Sequence, residues 1–302
     1  MFLGAASMIG TTGAGSKSTI PHEFDVLTYS DKDLNEVASI GYTVHNIVIS
    51  DPNVYSDKTI TEIKDKFHRN SVFIGNSRGT YGGGLVSDDA NIRKKTISFV
   101  EDMCILSKKL GCPSTYLRPG SLNEKGAWLP HPKNHTDEVF ERLVESTKKI
   151  CKIAESEGMF LLLEGGYVSP VYSAKRVKEF FEAVDSKNLK FNQDPVNFLS
   201  SLNDAYNTKV FLEEFFTLLG KYTISADLKD FTVIDSLMFQ LEEEYIGHGM
   251  MDQVYFLTRM QEICPNAQIL VEHIPRDKFK PSFTETMKYS DKAGITWDNY
   301  SL

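Results

Sequence analysis

The sequence predicts an α/β protein built as a single (β/α)8 barrel that spans residues 1–302. Short β-rich runs alternate with longer amphipathic stretches along the whole chain, and this alternation indicates parallel strands joined by right-handed helical crossovers. Eight such strand–helix units can be counted. They average about 38 residues each, so one barrel with long loops accounts for a chain of 302 residues.

Each predicted strand is a short run rich in aliphatic, β-branched or aromatic residues. Two of them contain the continuously apolar runs Phe160–Leu163 and Ile269–Val271, which are typical of a parallel sheet buried on both faces. In chain order, the predicted strands are Phe2–Ala6, Asn46–Ser50, Ser71–Gly75, Ser114–Leu117, Met159–Glu164, Leu189–Asp194, Tyr222–Asp227 and Gln268–Glu272.

The stretches between the strands have helical periodicity. In Thr136–Glu157 the apolar side chains keep to one face, acidic residues occupy the first turn, and Gly158 ends the helix. Two glycine-rich segments, Thr11–Ser18 and Ser77–Gly84, are predicted to be loops that follow strands. The other helices predicted in the same way are Ile92–Leu110, Ser173–Val184, Thr208–Leu219 and Asp252–Cys264.

Composition restricts the class of partner. The chain has 33 Lys and Arg against 41 Asp and Glu, a net charge of −8, which disfavours binding to nucleic acid or to an anionic membrane. No apolar run approaches the roughly 18 residues of a membrane span, and residues 1–15 lack the basic and apolar regions of a secretory signal. We therefore expect a cytoplasmic protein with a small-molecule partner. The four cysteines have no metal-site spacing and are predicted to be reduced and mostly buried: Cys104, Cys112, Cys151 and Cys264.

Acidic residues end four consecutive predicted strands, the fifth to the eighth. Because the carboxyl ends of barrel strands meet at one face, these side chains are expected to converge. Carboxylates a few ångströms apart cannot all stay ionised without a partner, and a divalent cation supplies one. An all-oxygen ligand set favours Mn²⁺ or Mg²⁺, with Co²⁺ or Zn²⁺ as alternatives. The predicted ligands of one divalent ion are Glu164, Asp194, Asp227 and Glu272.

A purely structural role for these acids is the alternative interpretation. Asp227 is followed two residues later by Lys229, and Glu272 is followed four residues later by Arg276. Ion pairs within these two pairs would neutralise the acids without any metal. The sequence leaves both interpretations open.

The residues around the acids form five motifs in a fixed order: Leu163-Glu164-Gly165, Asn192-Gln193-Asp194-Pro195-Val196-Asn197, Asp227-Leu228-Lys229-Asp230-Phe231, Gly247-His248-Gly249 followed by Asp252, and Val271-Glu272-His273. Together they resemble the successive motifs of the xylose-isomerase-like TIM-barrel family, which includes sugar isomerases, sugar epimerases and inosose dehydratases. The resemblance covers essentially the whole chain and is clearest from Leu110 onward.

This resemblance implies a metal site and shows two departures from it. In the family, a Glu, an Asp, a His and a Glu on strands five to eight hold one divalent metal. Glu164, Asp194 and Glu272 match, whereas Asp227 stands where relatives have the histidine. Asn197 stands where epimerases of the family often carry a substrate-contacting histidine. The implied site therefore has four carboxylates and is more negative than that of the relatives.

The resemblance also implies an activity, the isomerisation or epimerisation of a sugar, a polyol or a sugar phosphate. A metal that bridges a carbonyl and a neighbouring hydroxyl oxygen stabilises the enediolate formed when the α-proton leaves. Glu164 and Glu272, on opposite sides of such a site, are the predicted catalytic pair that removes and returns the proton. Two alternatives remain, an inosose-type dehydratase with the same metal site and a non-catalytic sugar-binding barrel whose metal site has decayed. Homo-oligomers are common in the family and are expected here.

Further residues near the strand ends are predicted to contact substrate. Arg118, after the fourth strand, is the best anchor for an anion, although a rim ion pair explains it equally well. Lys229 is predicted to neutralise a substrate oxyanion or to balance Asp230. His131 lies in a long loop, where functional residues concentrate, and Asn197 completes the predicted substrate-binding set. His273 is expected to point into the helix layer, because neighbours on a strand face opposite sides.

Two other function classes are disfavoured. The segment Gly10–Ser18 nearly spells a phosphate-binding P-loop, but Ser16 separates the second glycine from Lys17, and Pro21 follows where a helix should run. We interpret it as a mobile first loop that covers the barrel mouth. Apurinic endonucleases of the endonuclease IV type share the broad architecture, yet they hold several zinc ions with histidines that the strand ends here do not supply.

Overall fold

Eight parallel strands close into a barrel in the computed structural model, which describes residues 1–10 and 24–298. The predicted (β/α)8 class is confirmed. All eight predicted strands are present, with ends shifted by a few residues. The predicted loop Thr11–Ser18 and most of the P-loop-like segment lie outside the described residues. The strands are β1 (Phe2–Ala5), β2 (Val44–Ile49), β3 (Phe73–Gly79), β4 (Ser114–Leu117), β5 (Phe160–Leu163), β6 (Leu189–Gln193), β7 (Thr223–Leu228), β8 (Asp230–Val233), β9 (Leu241–Glu244) and β10 (Gln268–Val271).

Helices surround the barrel, and their apolar faces pack against the outer side of the strands. Among the described residues they are α1 (Asp31–Ile40), α2 (Asp57–Arg69), α3 (Ala90–Leu110), α4 (Asp137–Glu157), α5 (Ala174–Val184), α6 (Leu202–Tyr206), α7 (Thr208–Leu219), α8 (Gln253–Ile263) and α9 (Phe279–Ala293). Gly158 ends α4 in the left-handed conformation with φ +64°, as its predicted role requires. Val100, Leu143 and Phe180 are fully buried in this layer.

The third strand is longer than the sequence predicts. It runs to Gly79 instead of ending at Gly75, so the predicted loop Ser77–Gly84 is wrong in its first three residues. An irregularity in the pairing of β2 with β3 shifts the register, and the ladder then continues through Val48 opposite Arg78. The prediction ended the strand too early because this segment is rich in glycine, which usually marks the end of a strand. Arg78 is thereby placed on a barrel strand and is 2% exposed.

An antiparallel hairpin, β8 with β9, follows β7 and was not predicted. Asp230, the first residue of β8, anchors the base of this hairpin. The Asp230 carboxylate accepts hydrogen bonds from the backbone N–H groups of Phe231, Gly247, Gly249 and Met251, at 3.0 to 3.1 Å. The hairpin therefore rises from the barrel mouth on a fixed base.

The barrel closes where β1 pairs with both β10 and β2. A side chain at Gly4 would not fit this seam, since a Cβ atom there would lie 2.5 Å from Leu270 Cδ2 and 2.8 Å from the Val44 carbonyl oxygen. Beside the seam, the Met1 amino group lies 2.9 Å from Asp298 Oδ2. The two ends of the described chain thus meet at the closing strand.

The structure also bears on the cysteines and on membrane insertion. All four cysteines are free, and Cys104, Cys112 and Cys151 are buried as predicted. Burial raises the pKa of the Cys104 and Cys112 thiols to about 12, which makes them unreactive. Within residues 1–10 and 24–298, no helix has the length and apolar character needed to cross a bilayer.

Candidate metal centre

Four buried carboxylates converge at the carboxyl ends of β5, β6, β7 and β10, as the sequence predicts. Each offers one ligand atom, and these atoms lie within 4.8 Å of one another. Side chains alternate along a strand, so these positions face the barrel axis while their neighbours face the helices. None of the four is more than 4% exposed. The members of this acid cluster are Glu164, Asp194, Asp227 and Glu272.

Two buried cations reach the acid cluster. Lys229 Nζ lies 2.8 Å from Asp194 Oδ2 and 2.9 Å from Glu272 Oε1. Arg78 donates through Nη2 to the second carboxylate oxygen of Glu272, and its guanidinium stands 4.7 Å above the centre of the Tyr116 ring. Both oxygens of Glu272 therefore face a positive charge.

The environment separates the pKa values of these groups. Burial and the neighbouring Glu272 and Glu164 raise the pKa of Asp194 to about 7, in spite of the nearby Lys229. Burial and the same crowding raise the pKa of Asp227 well above its usual value. Burial alone would raise the pKa of Glu272 too, but Arg78 and Lys229 hold it well below the usual value. Burial favours a neutral lysine, yet the surrounding carboxylates raise the pKa of Lys229.

Amide side chains fix two of the acids. Asn192 Nδ2 donates to Asp227 Oδ2 at 2.5 Å, and Asn197 Nδ2 donates to Asp194 Oδ2 at 2.5 Å. A further polar layer lies inside the barrel, where Asn76 joins two serines: Asn76 Nδ2 donates to Ser225 Oγ at 3.1 Å and accepts at Oδ1 from Ser114 Oγ at 2.7 Å. Asn192 therefore holds Asp227, and Asn197 holds Asp194, in each case through the Oδ2 atom of the acid.

The remaining oxygens fit a divalent cation. Asp194 Oδ1 and Asp227 Oδ1 are buried and have no hydrogen-bond partner among the described residues; such atoms are costly unless they are satisfied. When all four carboxylates are ionised, as metal ligands must be, they carry four negative charges, and Arg78 with Lys229 returns two positive charges. Two uncompensated negative charges remain, which is the charge that one divalent ion neutralises. Oxygen donors suit Mg²⁺ and Mn²⁺.

Among the described residues, the acids do not form the ion pairs that were predicted for a purely structural role. Lys229 pairs with Asp194 and Glu272, while Asp227 is held by Asn192. Arg276 lies away from Glu272 and binds Asp33 and Glu36 of α1. The acid cluster thus contains ion pairs, but they are not those between near neighbours in sequence.

The predicted substrate-contacting residues fall into two groups. Asn197 and Lys229 lie in the acid cluster, and Lys229 Nζ donates to Asn197 Oδ1 at 3.0 Å. Arg118 follows β4 at the barrel mouth, and its Nη1 lies 3.4 Å from the Gly79 carbonyl oxygen. His131 makes local contacts: its Nδ1 accepts from the backbone of Lys133 at 3.2 Å. It lines a separate hollow of about 260 Å³ with Pro130, Pro132, His135, Tyr167 and Val168.

The expectation for His273 was wrong. Its backbone has φ +58°, which interrupts the extended conformation and hence the alternation of side chains. The ring therefore stays at the mouth, with Nδ1 2.9 Å from Glu243 Oε1 and Nε2 3.4 Å from Glu272 Oε1. Burial alone would lower the pKa of His273, but Glu243 raises it to about 9.

Sequence reasoning missed Arg78 and Glu243 at this site. Arg78 was assigned to a loop, and the alternating inward positions of a longer third strand were the signal that could have found it. Glu243 lies on β9, and its Oε1 is 3.7 Å from Lys229 Nζ. The hairpin had no clear strand pattern, so the position of Glu243 could not be inferred.

Comparison with known proteins identifies the family. A family model described as xylose isomerase-like TIM barrel matches residues 34–292. The chain belongs to this family. The five motifs around the acid cluster lie inside the matched range.

One curated relative is D-psicose 3-epimerase from Ruminiclostridium cellulolyticum. The two sequences are 29% identical over 172 residues, which is 53% of this chain and 55% of the relative. The chain thus matches about half the length of this curated relative.

Solved structures share the whole fold at low sequence identity. A D-tagatose 3-epimerase-like protein superposes with a TM-score of 0.71 at 19% identity, covering 97% of this chain and 98% of that one. D-psicose 3-epimerase with D-tagatose, from Clostridium cellulolyticum H10, gives 0.68 at 18%, with coverage of 97% and 98%. A xylose isomerase-like TIM barrel protein from Mycobacterium smegmatis, in complex with magnesium, gives 0.70 at 14%, with coverage of 96% and 95%.

Proposed function

We propose that this protein is a divalent-metal-dependent epimerase or isomerase that acts on a sugar, a polyol or a sugar phosphate. The observation that carries the proposal is the cluster of four buried carboxylates at the barrel mouth, with ligand atoms within 4.8 Å of one another. The curated relative and several structural neighbours are named as sugar epimerases, which supports the same chemical class.

Glu164, Asp194, Asp227 and Glu272 would hold the ion, with Mn²⁺ or Mg²⁺ as the proposed metal and Co²⁺ or Zn²⁺ as alternatives. When bound, a divalent cation supplies Lewis-acid stabilisation of the negative charge that develops on the substrate oxygens. Asp227 takes the place of the family histidine in this proposal. Its free Oδ1 and its tie to Asn192 suit that role.

Glu164 and Glu272 are the proposed proton-transfer pair. They follow β5 and β10, which are separated in the ring by β6 and β7, so the two carboxylates approach a substrate from different sides. One removes the proton next to the carbonyl and the other returns it to the opposite face. Arg78 and Lys229 lower the basicity of Glu272, so close positioning has to supply much of the rate.

Other cations and amides at the mouth would bind the substrate oxygens. Lys229 and Asn197 contact the acid cluster, and Arg118 directly follows Leu117, whose carbonyl oxygen accepts a hydrogen bond from the Glu164 N–H at 3.2 Å. We propose these three as substrate-binding residues, with Arg118 as the anchor for a phosphate if the substrate carries one. His131 lies in a separate hollow and is proposed to contact only a substrate that extends beyond the mouth.

The first test is metal uptake. Protein stripped with a chelator should bind about one Mn²⁺ per chain in a calorimetric titration, and Glu164→Gln and Glu272→Gln should each lose this binding because a ligand charge is gone. Glu145→Gln, at an exposed position on α4, is the matched control and should bind like the unchanged protein. Lack of uptake of Mn²⁺, Mg²⁺ and Co²⁺ by the unchanged protein would overturn the metal centre.

The second test separates the reactions. The Mn²⁺-loaded protein is incubated in deuterated water with D-psicose, D-tagatose, D-fructose, their phosphates and an inosose. Deuterium incorporation next to the carbonyl without elimination supports epimerisation or isomerisation. Growth of enone absorbance indicates the dehydratase instead. A metal-loaded protein that binds a sugar without any exchange is the non-catalytic barrel.

We also propose a cytoplasmic homo-oligomer without nucleic-acid binding. The net charge of −8 disfavours binding to nucleic acid, and the free thiols suit the reducing environment of the cytoplasm. Light scattering of the purified protein measures the oligomeric state directly.

A further inference from the structure

Lys229 lies against two of the carboxylates that would hold a divalent cation. Its ammonium lies 2.8 Å from Asp194 Oδ2 and 2.9 Å from Glu272 Oε1, and both residues belong to the acid cluster. The Lys229 side chain is 1% exposed. Two of the four carboxylates are therefore already in contact with a positive charge that the chain itself supplies.

One carboxylate outside the acid cluster, that of Glu243, is also within reach of the Lys229 ammonium. Glu243 Oε1 lies 3.7 Å from Lys229 Nζ, and the Glu243 side chain is 43% exposed. His273 Nδ1 is 2.9 Å from the same Glu243 oxygen and holds it at the mouth. A lysine ammonium sits on a flexible four-carbon stem, and with Glu243 Oε1 already 3.7 Å away it can exchange one of these partners for another by a short movement.

We propose that Lys229 is a tethered competitor of the divalent ion: its ammonium neutralises Asp194 and Glu272 in the metal-free protein and moves toward Glu243 when the ion binds. This inference rests on the metal centre of the proposed function.

The physical reason is the cost of uncompensated charge at short range. Buried carboxylates this close repel one another strongly, and a built-in cation stabilises the metal-free fold. The same cation repels a divalent ion a few ångströms away, because Coulomb repulsion at that distance is only weakly screened inside a protein. Glu243 lowers that penalty, since it gives the displaced ammonium an anionic contact away from the ion.

The test is a double-mutant cycle on metal affinity. Chelator-stripped protein is titrated with Mn²⁺ by calorimetry for the unchanged chain, Lys229→Met, Glu243→Gln and the combination of both. Lys229→Met should bind Mn²⁺ at least tenfold more tightly. Glu243→Gln should bind several-fold more weakly when Lys229 is present, and this loss should disappear when Lys229 is methionine. Lys152→Met, on the exposed face of α4, removes the same charge far from the site and should change nothing.

A stability measurement accompanies the titration. Metal-free Lys229→Met should melt at a lower temperature than the unchanged protein, and added Mn²⁺ should raise its melting temperature by more, because tighter binding stabilises more strongly. A Lys229→Met variant that binds Mn²⁺ no more tightly than the unchanged protein would overturn the competition. An equal effect of Glu243→Gln with and without Lys229 would overturn the acceptor role of Glu243.

The outcomes distinguish a failure of this inference from a failure of the proposed function. If Lys229→Met does not fold without metal, the Mn²⁺ affinity of Glu243→Gln tests the inference. An affinity equal to that of the unchanged protein contradicts it. Absence of Mn²⁺ binding to both the unchanged protein and Lys229→Met overturns the metal centre together with the inference. Tight Mn²⁺ binding without turnover of any sugar contradicts only the proposed reaction, and the affinities still measure the competition.

Discussion

Arg78 and Glu272 form an ion pair with side chains that are 3% and 0% exposed. Removing Arg78 leaves one buried Glu272 oxygen without its charged donor, while Lys229 still faces the other oxygen, so Arg78→Met should lower the free energy of unfolding by about 3 kcal/mol. Urea denaturation measures this change. Arg69→Met is the matched control: the pair between Arg69 and Asp31 is half exposed, and its loss should cost much less stability because solvent screens exposed pairs. Equal losses in both variants would contradict the role of Arg78.

Asp194 gives the metal-free protein a characteristic pH dependence. The pKa of Asp194 is about 7 in the folded protein, against about 3.9 in an unfolded chain. The folded state therefore holds the proton more tightly, and this contribution to stability is complete below about pH 4 and is lost as the pH rises to about 7. The shift of Asp227 has the same direction. Stability in the presence of a chelator should fall between pH 5 and pH 7.

The variant Asp194→Asn isolates this effect. Asparagine stays neutral at every pH, so the fall in unfolding free energy between pH 5 and pH 7 should be smaller than in the unchanged protein. His273, whose pKa is raised from 6.5 to about 9, begins to lose its contribution near pH 6.5, and this background is present in both proteins. Urea denaturation at pH 5, 6 and 7 with a chelator provides the comparison. Parallel pH profiles for the two proteins would refute the assignment to Asp194.

At the scale of single elements, the β8–β9 hairpin depends on one side chain. Four backbone N–H groups donate to the Asp230 carboxylate. Hydrogen bonds to a charged group contribute roughly 1.5–3 kcal/mol each when they are net favourable, and they act together here. Asp230→Ala should therefore loosen the hairpin and lower the free energy of unfolding by at least about 3 kcal/mol.

Hydrogen exchange measures the local effect of this change. The amides of Leu241–Glu244, which pair with β8, should exchange much faster in Asp230→Ala. Asp235→Ala is the control on the same hairpin, because Asp235 is exposed near its tip and should leave exchange unchanged. Protection of β9 that survives in Asp230→Ala would show that the hairpin is held by its own strand pairing.

The predicted elements differ in how well the sequence determined them. Helices such as α4 were correct to within one residue, because a long 3.6-residue periodicity and a glycine stop are both local signals. The continuation of β3 past Gly75 depends on its pairing with β2, which no local pattern reports. The β8–β9 hairpin was not predicted for the same reason. Its base is held by hydrogen bonds from the backbone of Gly247, Gly249 and Met251 to Asp230, which no local pattern reports.

At the scale of the whole molecule, the barrel depends on its closing seam, and we propose that residues 1–302 form one domain for this reason. Gly4→Ala should destabilise the protein by about 2–3 kcal/mol, because the new methyl group would meet Leu270 and the Val44 carbonyl. Gly82→Ala is the control, since nothing lies within 4 Å of its Cβ position; it should change stability by less than about 1 kcal/mol.

Urea denaturation followed by circular dichroism and by tryptophan fluorescence checks this prediction. Trp128 lies in the loop after β4, and Trp297 lies at the end of the described chain, where its Nε1 donates to Ser290. If the seam supports the whole barrel, Gly4→Ala should shift both signals to a lower urea concentration by the same amount. A shift seen by one signal alone would indicate separate units.

The sequence by itself determined the order of strands and helices, the barrel class and the four acids that meet at its mouth. Those follow from local periodicity and from the rule that parallel strands end at one face. The tertiary structure alone decided which charges oppose the acids. Arg78, Lys229 and Glu243 come from β3, the end of β7 and β9, and His273 reaches them through a single left-handed residue. Charge pairing depends on distances across the closed ring, and a linear pattern does not contain those distances.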